Sequence, residues 1–265
     1  MVAAPEELGF GTFRNTDPKE CTNSVKSALT VGYRHIDTAQ RYENEEYVGE
    51  ALKQSNVNRK EVLLATKLWP GNLAPKKVRP STEQSLERLS VDYIDLLYVH
   101  WPAIDYDAEG TLSAFAELQD EGLIEHIAVS NFTIKLLEEA QDVTDVEIFA
   151  NQVELHPRLQ QEELRKYCSS KDMYIVAYSP LAKGDVFDIP EINDIAKKHN
   201  ASEAQITLAW LHSIDQVIPI PKATSKSHIM DNYKSINLKL DRDDIDKIEA
   251  ISDEHRYADR DWVDW

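Results

Sequence analysis

Short apolar runs rich in β-branched residues recur along the chain at regular intervals. Most are nearly continuous rather than strictly alternating, which is typical of strands buried on both faces. Eight runs are predicted to be strands: 8–13, 33–37, 62–69, 93–101, 124–131, 148–155, 174–180 and 217–222. Strands of this kind usually form a parallel sheet that is covered by helices.

Each predicted strand is followed by at least one segment with apolar residues at helical spacing. Segment 17–32 carries the clearest boundary signals, with Asp17 as a cap, Pro18 in the first turn and Gly32 at the end. The remaining helices are predicted at 43–55, 75–90, 111–122, 133–142, 161–171, 190–200, 202–213, 225–236 and 241–252.

Eight strands that alternate with helices predict an α/β fold, a (β/α)8 TIM barrel in which residues 1–265 form a single domain. We found no linker and no low-complexity tract that would divide the chain. A doubly wound sheet is the alternative, and it would need a glycine-rich phosphate turn after the first strand. The first run contains only "GFGTF", which lacks the third glycine, and the whole chain has eight glycines.

The charge of the chain is strongly acidic, with 29 Lys and Arg against 47 Asp and Glu and a net charge of −18. Nucleic acids and anionic membranes need basic footprints, so we expect neither as a partner. An anionic ligand would be repelled unless a local basic pocket captures it. We hypothesise that the acidic surface is an adaptation to high salt, where charge repulsion is screened.

The remaining composition favours a cytoplasmic protein. The first ten residues, "MVAAPEELGF", show no secretory signal, and no run of 18 apolar residues could span a membrane. Cys21 and Cys168 lack metal-type spacing and lie in predicted helices, so we expect free thiols and no metal. No exposed apolar stripe is evident, so we expect a monomer.

The chemistry of a barrel lies at the carboxyl ends of its strands. Polar residues there include Asp37 on strand 2, Lys67 on strand 3 and His100 on strand 4, with Tyr42 five residues after Asp37. Taken singly, each has an ordinary structural explanation: a turn, a salt bridge, a core histidine, a loop aromatic. Together they predict a proton donor to a carbonyl oxygen, in which Asp37 holds Lys67 charged and Lys67 lowers the pKa of Tyr42.

Seven motifs along the chain resemble those of the aldo-keto reductases, in order and over nearly the whole length. They are "GYRHIDTAQRYENEEYVG", "LLATKLWP", "DYIDLLYVHWP", "IAVSNF", "NQVELHP", "AYSPLAKG" and "VIPIPKATS". The short tail is similar to that of the prokaryotic 2,5-diketo-D-gluconic acid reductases of this family. The resemblance implies a (β/α)8 barrel and NAD(P)H-dependent reduction of aldehydes and ketones.

The resemblance also implies roles for individual residues. Tyr42 would donate the proton, Lys67 paired with Asp37 would adjust the pKa of Tyr42, and His100 would position the carbonyl group. The residues implied to hold the nicotinamide cofactor are Ser130, Asn131, Gln152, Tyr178, Ser179, Leu181, Lys183, Lys222, Ser225, His228 and Asn232.

Two departures from the family pattern bear on the choice of cofactor. NADP-preferring members often have an arginine where this chain has His228, and a serine where it has Ala223. Losing a permanently charged, planar group weakens capture of the 2′-phosphate. Lys222 and Lys226 remain, so NADP(H) is favoured and NAD(H) is possible.

The substrate is expected to be a small carbonyl compound that enters over Trp69 and Trp101, whose wide apolar rings suit an orienting pocket. The tail from Asp253 is short, which implies an open pocket edged by Trp262 or Trp265.

Two other functions remain open from the sequence. Lys67 could be the nucleophile of a Schiff-base aldolase, although this needs a depressed pKa that Asp37 opposes. Alternatively, the protein could be a nicotinamide-bound sensor or a partner subunit with little turnover.

Overall fold

The computed structural model describes residues 8–261, 263 and 265. Its eight strands are parallel and pair in chain order from first to last. They are β1 (Gly9–Gly11), β2 (His35–Asp37), β3 (Leu63–Leu68), β4 (Ile94–Val99), β5 (Ile124–Ser130), β6 (Ile148–Glu154), β7 (Tyr174–Tyr178) and β8 (Val217–Pro219). The predicted (β/α)8 barrel is therefore confirmed.

The helices cover the outside of the strands. They are α1 (Pro18–Val31), α2 (Glu45–Gln54), α3 (Pro75–Leu89), α4 (Ala108–Asp120), α5 (Ile134–Val143), α6 (Glu162–Ser170), α7 (Pro190–His199), α8 (Glu203–His212), α9 (Lys226–Tyr233) and α10 (Arg242–Glu249). Each corresponds to a predicted segment, with ends that differ by a few residues.

Helix α1 illustrates why these segments are helical. The carboxylate of Asp17 accepts a hydrogen bond from the N–H of Glu20, and Pro18 occupies the first turn. The helix ends at Gly32, where φ is 133°. A side chain at Gly32 would also collide with the hydroxyl of Tyr233, so glycine is needed there.

The first and last strands meet at the seam of the barrel. The N–H of Gly11 donates to the carbonyl oxygen of Pro221, just after β8, at 3.1 Å. A Cβ at Gly11 would lie 2.7 Å from the carbonyl oxygen of Ile220. The glycines of "GFGTF" therefore allow close approach of two strands and do not form a phosphate loop.

Side chains along each strand alternate between the barrel interior and the surrounding helices. The buried apolar residues of the interior are Leu63, Ala65, Leu96, Tyr98, Ala128, Ala150, Val176 and Ile220. Lys67 follows Ala65 by two residues on β3, and Gln152 follows Ala150 by two residues on β6, so both side chains also point into the interior. The interior therefore changes from apolar to polar toward the carboxyl ends of the strands.

The two cysteines are free and buried, as expected. Burial raises the pKa of Cys168 to about 12, and burial with the charge of Glu20 does the same for Cys21. Across the described part of the chain, no helix is long and apolar enough to cross a membrane. The same residues contain no group of three His, Cys, Asp or Glu side chains that could hold a metal ion.

Candidate active site

A buried ion pair lies at the carboxyl ends of β2 and β3. The Nζ of Lys67 donates to Oδ1 of Asp37 at 2.5 Å and to the carbonyl oxygen of Thr38 at 2.8 Å. The other oxygen of Asp37 accepts from Nε2 of Gln152 at 2.8 Å. The side chains of Lys67 and Asp37 are 0% and 2% exposed. The predicted pairing of these two charges is thus present, and water is excluded from it.

A second buried carboxylate, that of Glu45, lies close enough to this pair to interact electrostatically with Lys67. It lies in the first turn of α2, where the positive end of the helix favours a carboxylate. Its carboxylate accepts hydrogen bonds from Oγ1 of Thr66 at 2.6 Å and from Nε of Arg88 at 2.7 Å. Burial lowers the pKa of Lys67, and the charge of Glu45 adds a little to the opposing effect of Asp37. The sequence around Glu45 does not show that it is buried while the adjacent Glu46 is exposed. The difference arises from contacts with distant residues, such as Arg88 on α3.

The turn that carries Tyr42 is pinned to the barrel by Asn44. The hydroxyl of Thr38 donates to Oδ1 of Asn44 at 2.6 Å. The Nδ2 of Asn44 in turn donates to the carbonyl oxygens of Thr12 and Asn15 at 2.9 and 3.1 Å. These bonds fix the short 3-10 turn between β2 and α2 that ends in Tyr42.

Tyr42 reaches the residues of the neighbouring strands from this turn. The Nζ of Lys67 lies 5.2 Å from the centre of the Tyr42 ring. The ring of His100 lies 5.8 Å from that of Tyr42, centre to centre, in an edge-on arrangement. The ring of Trp69 packs against the other side of His100 at 5.5 Å. The four residues predicted to be catalytic therefore converge at one point of the barrel mouth.

The electrostatics of this cluster differ from the sequence-based expectation. Burial, together with the charges of Asp37 and Tyr178, raises the pKa of Tyr42 well above its ordinary value. The net shift is therefore upward, opposite to the lowered pKa that the sequence predicted, because burial has the largest effect on this phenol. Burial likewise lowers the pKa of Lys67, and Asp37 only partly offsets that effect.

His100 is held in its neutral form. Burial, followed by the charges of Lys67 and Arg41, lowers the pKa of its imidazole well below the usual value. A neutral imidazole can still donate one hydrogen bond to a ligand.

A cavity of about 1090 Å³ opens above this cluster, at the carboxyl ends of the strands. The predicted site residues on its lining are Asp37, Tyr42, Trp69, His100, Trp101, Ser130, Asn131, Gln152, Tyr178, Ser179, Leu181, Lys183, Lys222, His228 and Asn232. Lys67 lies beneath this surface, bonded to Asp37. Ser225 is not on the lining and instead caps α9, where its hydroxyl accepts from the N–H of His228.

Polar groups next to His100 form a connected network. The amide of Asn131 donates to the carbonyl oxygen of His100 and to Oγ of Ser130, each at 3.0 Å. The hydroxyl of Tyr178 donates to Oδ1 of Asn131 at 2.8 Å, and Ser130 donates to the carbonyl oxygen of Gln152. Amide and hydroxyl groups beside the half-buried ring of Tyr178 fit a nicotinamide, whose ring can stack and whose carboxamide needs such partners.

The loops after β7 and β8 bring positive groups to the cavity. Lys183 lies on the loop after β7 and Lys222 on the loop after β8, and both side chains line the cavity. Helix α9 begins at Lys226, and the positive end of a helix favours anions. These groups fit the phosphates of a dinucleotide.

The C-terminal tail closes one side of the cavity through contacts that the sequence did not indicate. The buried carboxylate of Glu154, at the end of β6, accepts hydrogen bonds from the N–H of Tyr257 at 2.8 Å and of Ala258 at 2.6 Å. The Nε2 of His156 lies 2.9 Å from the same carboxylate. The hydroxyl of Tyr257 also donates to Asp185 in the loop after β7.

These contacts place tail residues 257–260 on the cavity lining. Of the two tail residues expected to edge the pocket, Trp262 lies outside the described residues. The ring of Trp265 lies 6.1 Å from that of Trp101. Other lining residues that the sequence reasoning missed are Phe13, Arg14, Arg41, Phe187 and Asp231.

Comparison with known proteins agrees with this architecture. A model of the aldo/keto reductase family matches residues 7–253. A glyoxal reductase of Bacillus subtilis (strain 168) is 40% identical over 251 residues, which cover 94% of this chain and 90% of that protein. A methylglyoxal reductase of Escherichia coli (strain K12) is 41% identical over 249 residues, covering 92% and 89%.

The solved structures agree as well. The structure of a protein provisionally assigned as 2,5-diketo-D-gluconic acid reductase B superposes with a TM-score of 0.93 at 33% identity, covering 97% of this chain and 91% of that one. The chain belongs to the aldo/keto reductase family. Membership of this family supports carbonyl reduction as the chemistry of this protein. The family uses nicotinamide cofactors, generally NADPH.

Proposed function

We propose that this protein reduces aldehydes or ketones to alcohols with NADPH, and that Tyr42 donates the proton. The observation that carries the proposal is the convergence of Tyr42 and His100 above the buried Asp37–Lys67 pair on the floor of one cavity. When bound, the nicotinamide supplies the hydride that reaches the carbonyl carbon.

His100 orients the carbonyl group. Because its lowered pKa keeps the imidazole neutral near pH 7, it can donate a hydrogen bond to the carbonyl oxygen without adding charge. The ring of Trp69 packs edge-on against it and limits its rotation. A carbonyl oxygen within reach of both His100 and Tyr42 is then placed for proton transfer.

Tyr42 gives up its proton only as negative charge develops on the carbonyl oxygen. Its raised pKa keeps the phenol protonated before that point. The ammonium of Lys67, 5.2 Å from the ring centre, stabilises the phenolate that forms. Asp37 and the carbonyl oxygen of Thr38 hold this ammonium in place, so little reorganisation is needed.

NADPH is proposed over NADH on the basis of charge. Lys222, Lys226 and the first turn of α9 together offer a local positive site to the 2′-phosphate in a chain of net charge −18. His228 lines the cavity where an arginine would bind the phosphate more strongly, so some use of NADH is also expected.

The test is a spectrophotometric screen of NADPH and NADH against methylglyoxal, short and aromatic aldehydes, keto sugars and diketones. Tyr42→Phe should lower kcat by at least about a hundredfold, the usual contribution of a general acid, while NADPH still binds. The matched control is Tyr167→Phe on α6, which should keep full activity, because its hydroxyl donates to Gln141 and does not line the cavity. Retained turnover in Tyr42→Phe would overturn the assignment.

The other functions left open by the sequence gain no support. Lys67 is fully buried and its ammonium is bonded to Asp37 and Thr38, so it is a poor nucleophile for a Schiff-base aldolase despite its lowered pKa. A sensor with little turnover would not need the buried pair beneath Tyr42, whose desolvation is costly. Negligible turnover across the whole carbonyl panel, with NADPH bound, would favour the sensor.

A further inference from the structure

Arg41 brings a positive charge to the catalytic end of the cavity. It precedes Tyr42 in the same short turn and lines the cavity beside Trp69 and His100. Its guanidinium carbon lies 5.6 Å from the centre of the Trp69 ring, within the range of a cation–π contact. The charge is also close enough to His100 to contribute to the lowering of its pKa.

The guanidinium of Arg41 is available to a ligand. It forms an ion pair with Glu43, with 3.5 Å between Nη1 and Oε1, and the two side chains are 59% and 79% exposed. Ion pairs between side chains this exposed contribute little free energy. A carboxylate entering the cavity could therefore replace Glu43 at small cost.

The cavity reverses the charge balance of the chain. Five lining residues are Lys or Arg and three are Asp, whereas the whole chain has 29 basic and 47 acidic residues. Of the three acids, Asp37 is paired with Lys67 and Asp231 accepts hydrogen bonds from Ser202 and Gln205. The surroundings of the cavity therefore favour an anion, although the protein as a whole repels one.

Four of the five cations lie on loops that follow strands, and the fifth, Arg260, lies on the C-terminal tail. Lys183 and Lys222, assigned above to the phosphates of the cofactor, lie on the loops after β7 and β8. Arg14 lies over the ring of Phe13 on the loop after β1. Arg41 instead shares its turn with Tyr42, the residue that must meet the carbonyl group. Its charge therefore faces the substrate and not the cofactor phosphates.

We propose that Arg41 selects carbonyl substrates that carry a carboxylate. The guanidinium holds the carboxylate by a two-point contact, with Trp69 beneath it, while the aldehyde or ketone group reaches Tyr42 and His100. The proposal rests on the proposed reductase function and adds a substrate class to it. An uncharged carbonyl compound loses this contact but still reaches the same proton donor.

The test compares 4-carboxybenzaldehyde with its methyl ester, two substrates that differ in charge at a fixed distance from the aldehyde. The proteins are the wild type, Arg41→Gln and a matched control, Arg242→Gln, which removes an exposed charge that pairs with Asp246 on α10. In Arg41→Gln, kcat/KM for the carboxylate should fall about three- to tenfold, as expected for a partly exposed charged contact. The ester reports any effect of Arg41 on His100, which acts on both substrates, so the predicted quantity is a fall of about three- to tenfold in the carboxylate-to-ester ratio of kcat/KM; the control should alter neither value.

Two further measurements sharpen the result. Arg41→Lys should keep part of the preference, since it retains the charge but loses the two-point contact. Raising the KCl concentration should reduce the preference of the wild type, because salt screens an exposed pair. A preference that is the same in Arg41→Gln and wild type would overturn the role of Arg41 and leave the reductase function standing.

Absence of turnover of both aldehydes with NADPH and NADH would instead count against the reductase function. The carboxylate contact of Arg41 is then tested by calorimetry, which measures the binding of 4-(hydroxymethyl)benzoate, the alcohol product, to wild type and Arg41→Gln. Weaker binding to the variant supports the carboxylate contact, and equal dissociation constants overturn it.

Discussion

The buried pair of Asp37 and Lys67 allows a quantitative prediction about stability. Lys67→Met removes an ammonium that is 0% exposed and leaves the carboxylate of Asp37 with the hydrogen bond from Gln152. Asp37→Asn leaves the ammonium buried against the carbonyl oxygen of Thr38. Each single change therefore strands an uncompensated charge, and each should lower the free energy of unfolding by about 3–5 kcal/mol.

The double variant is expected to behave differently. With both charges removed, no charge remains stranded, so its loss should be no larger than that of one single variant. If the two losses were independent they would add to about 6–10 kcal/mol, so a coupling free energy of at least about 3 kcal/mol is expected between the two sites. As a contrast, Arg242 and Asp246, which are 75% and 54% exposed, should show a coupling of at most about 1 kcal/mol.

The assay is urea-induced unfolding at pH 7 and 25 °C, followed by both circular dichroism and tryptophan fluorescence to check for two-state behaviour. All four members of the cycle are measured, together with the Arg242–Asp246 cycle. Losses that add to within about 0.5 kcal/mol in the double variant would refute the reasoning. They would show that the two charges are separately solvated rather than mutually compensated.

Two other predictions concern the tail and the acidic surface. Glu154→Gln weakens the acceptor that holds the N–H groups of Tyr257 and Ala258, so these amides should exchange hydrogen at least about tenfold faster, whereas the exposed Glu163→Gln on α6 should leave them unchanged. Unchanged exchange in Glu154→Gln would contradict the proposed anchoring. If the net charge of −18 is an adaptation to salt, the melting temperature should rise from low to multimolar KCl, and equal melting temperatures would exclude the hypothesis.

Much of the fold followed from the sequence because its signals are local. Strands buried on both faces are nearly continuous apolar runs, and helices show their period and caps within a dozen residues. Strand ends could be located to within a few residues, so Asp37, Lys67 and His100 could be assigned to one mouth of a barrel. Tyr42 followed because it lies only five residues after Asp37.

Other features of the site depend on contacts between distant parts of the chain. Glu154 anchors Ala258, 104 residues away, and Gln152 donates to Asp37 across 115 residues. No local pattern distinguishes these side chains from exposed ones of the same type. The contacts of Glu154 with the tail and of Gln152 with Asp37 became visible only when the barrel brought these residues together.

The sequence by itself determined the order of the elements, the type of barrel and which polar residues end its strands, since each depends on neighbours along the chain. Only the tertiary structure decided the environment of those residues: how deeply Tyr42 is buried, which way its pKa moves, and that Arg41 faces the catalytic end of the cavity. The physical reason is that burial and electrostatic interactions depend on distance in space, which the linear order of residues does not contain.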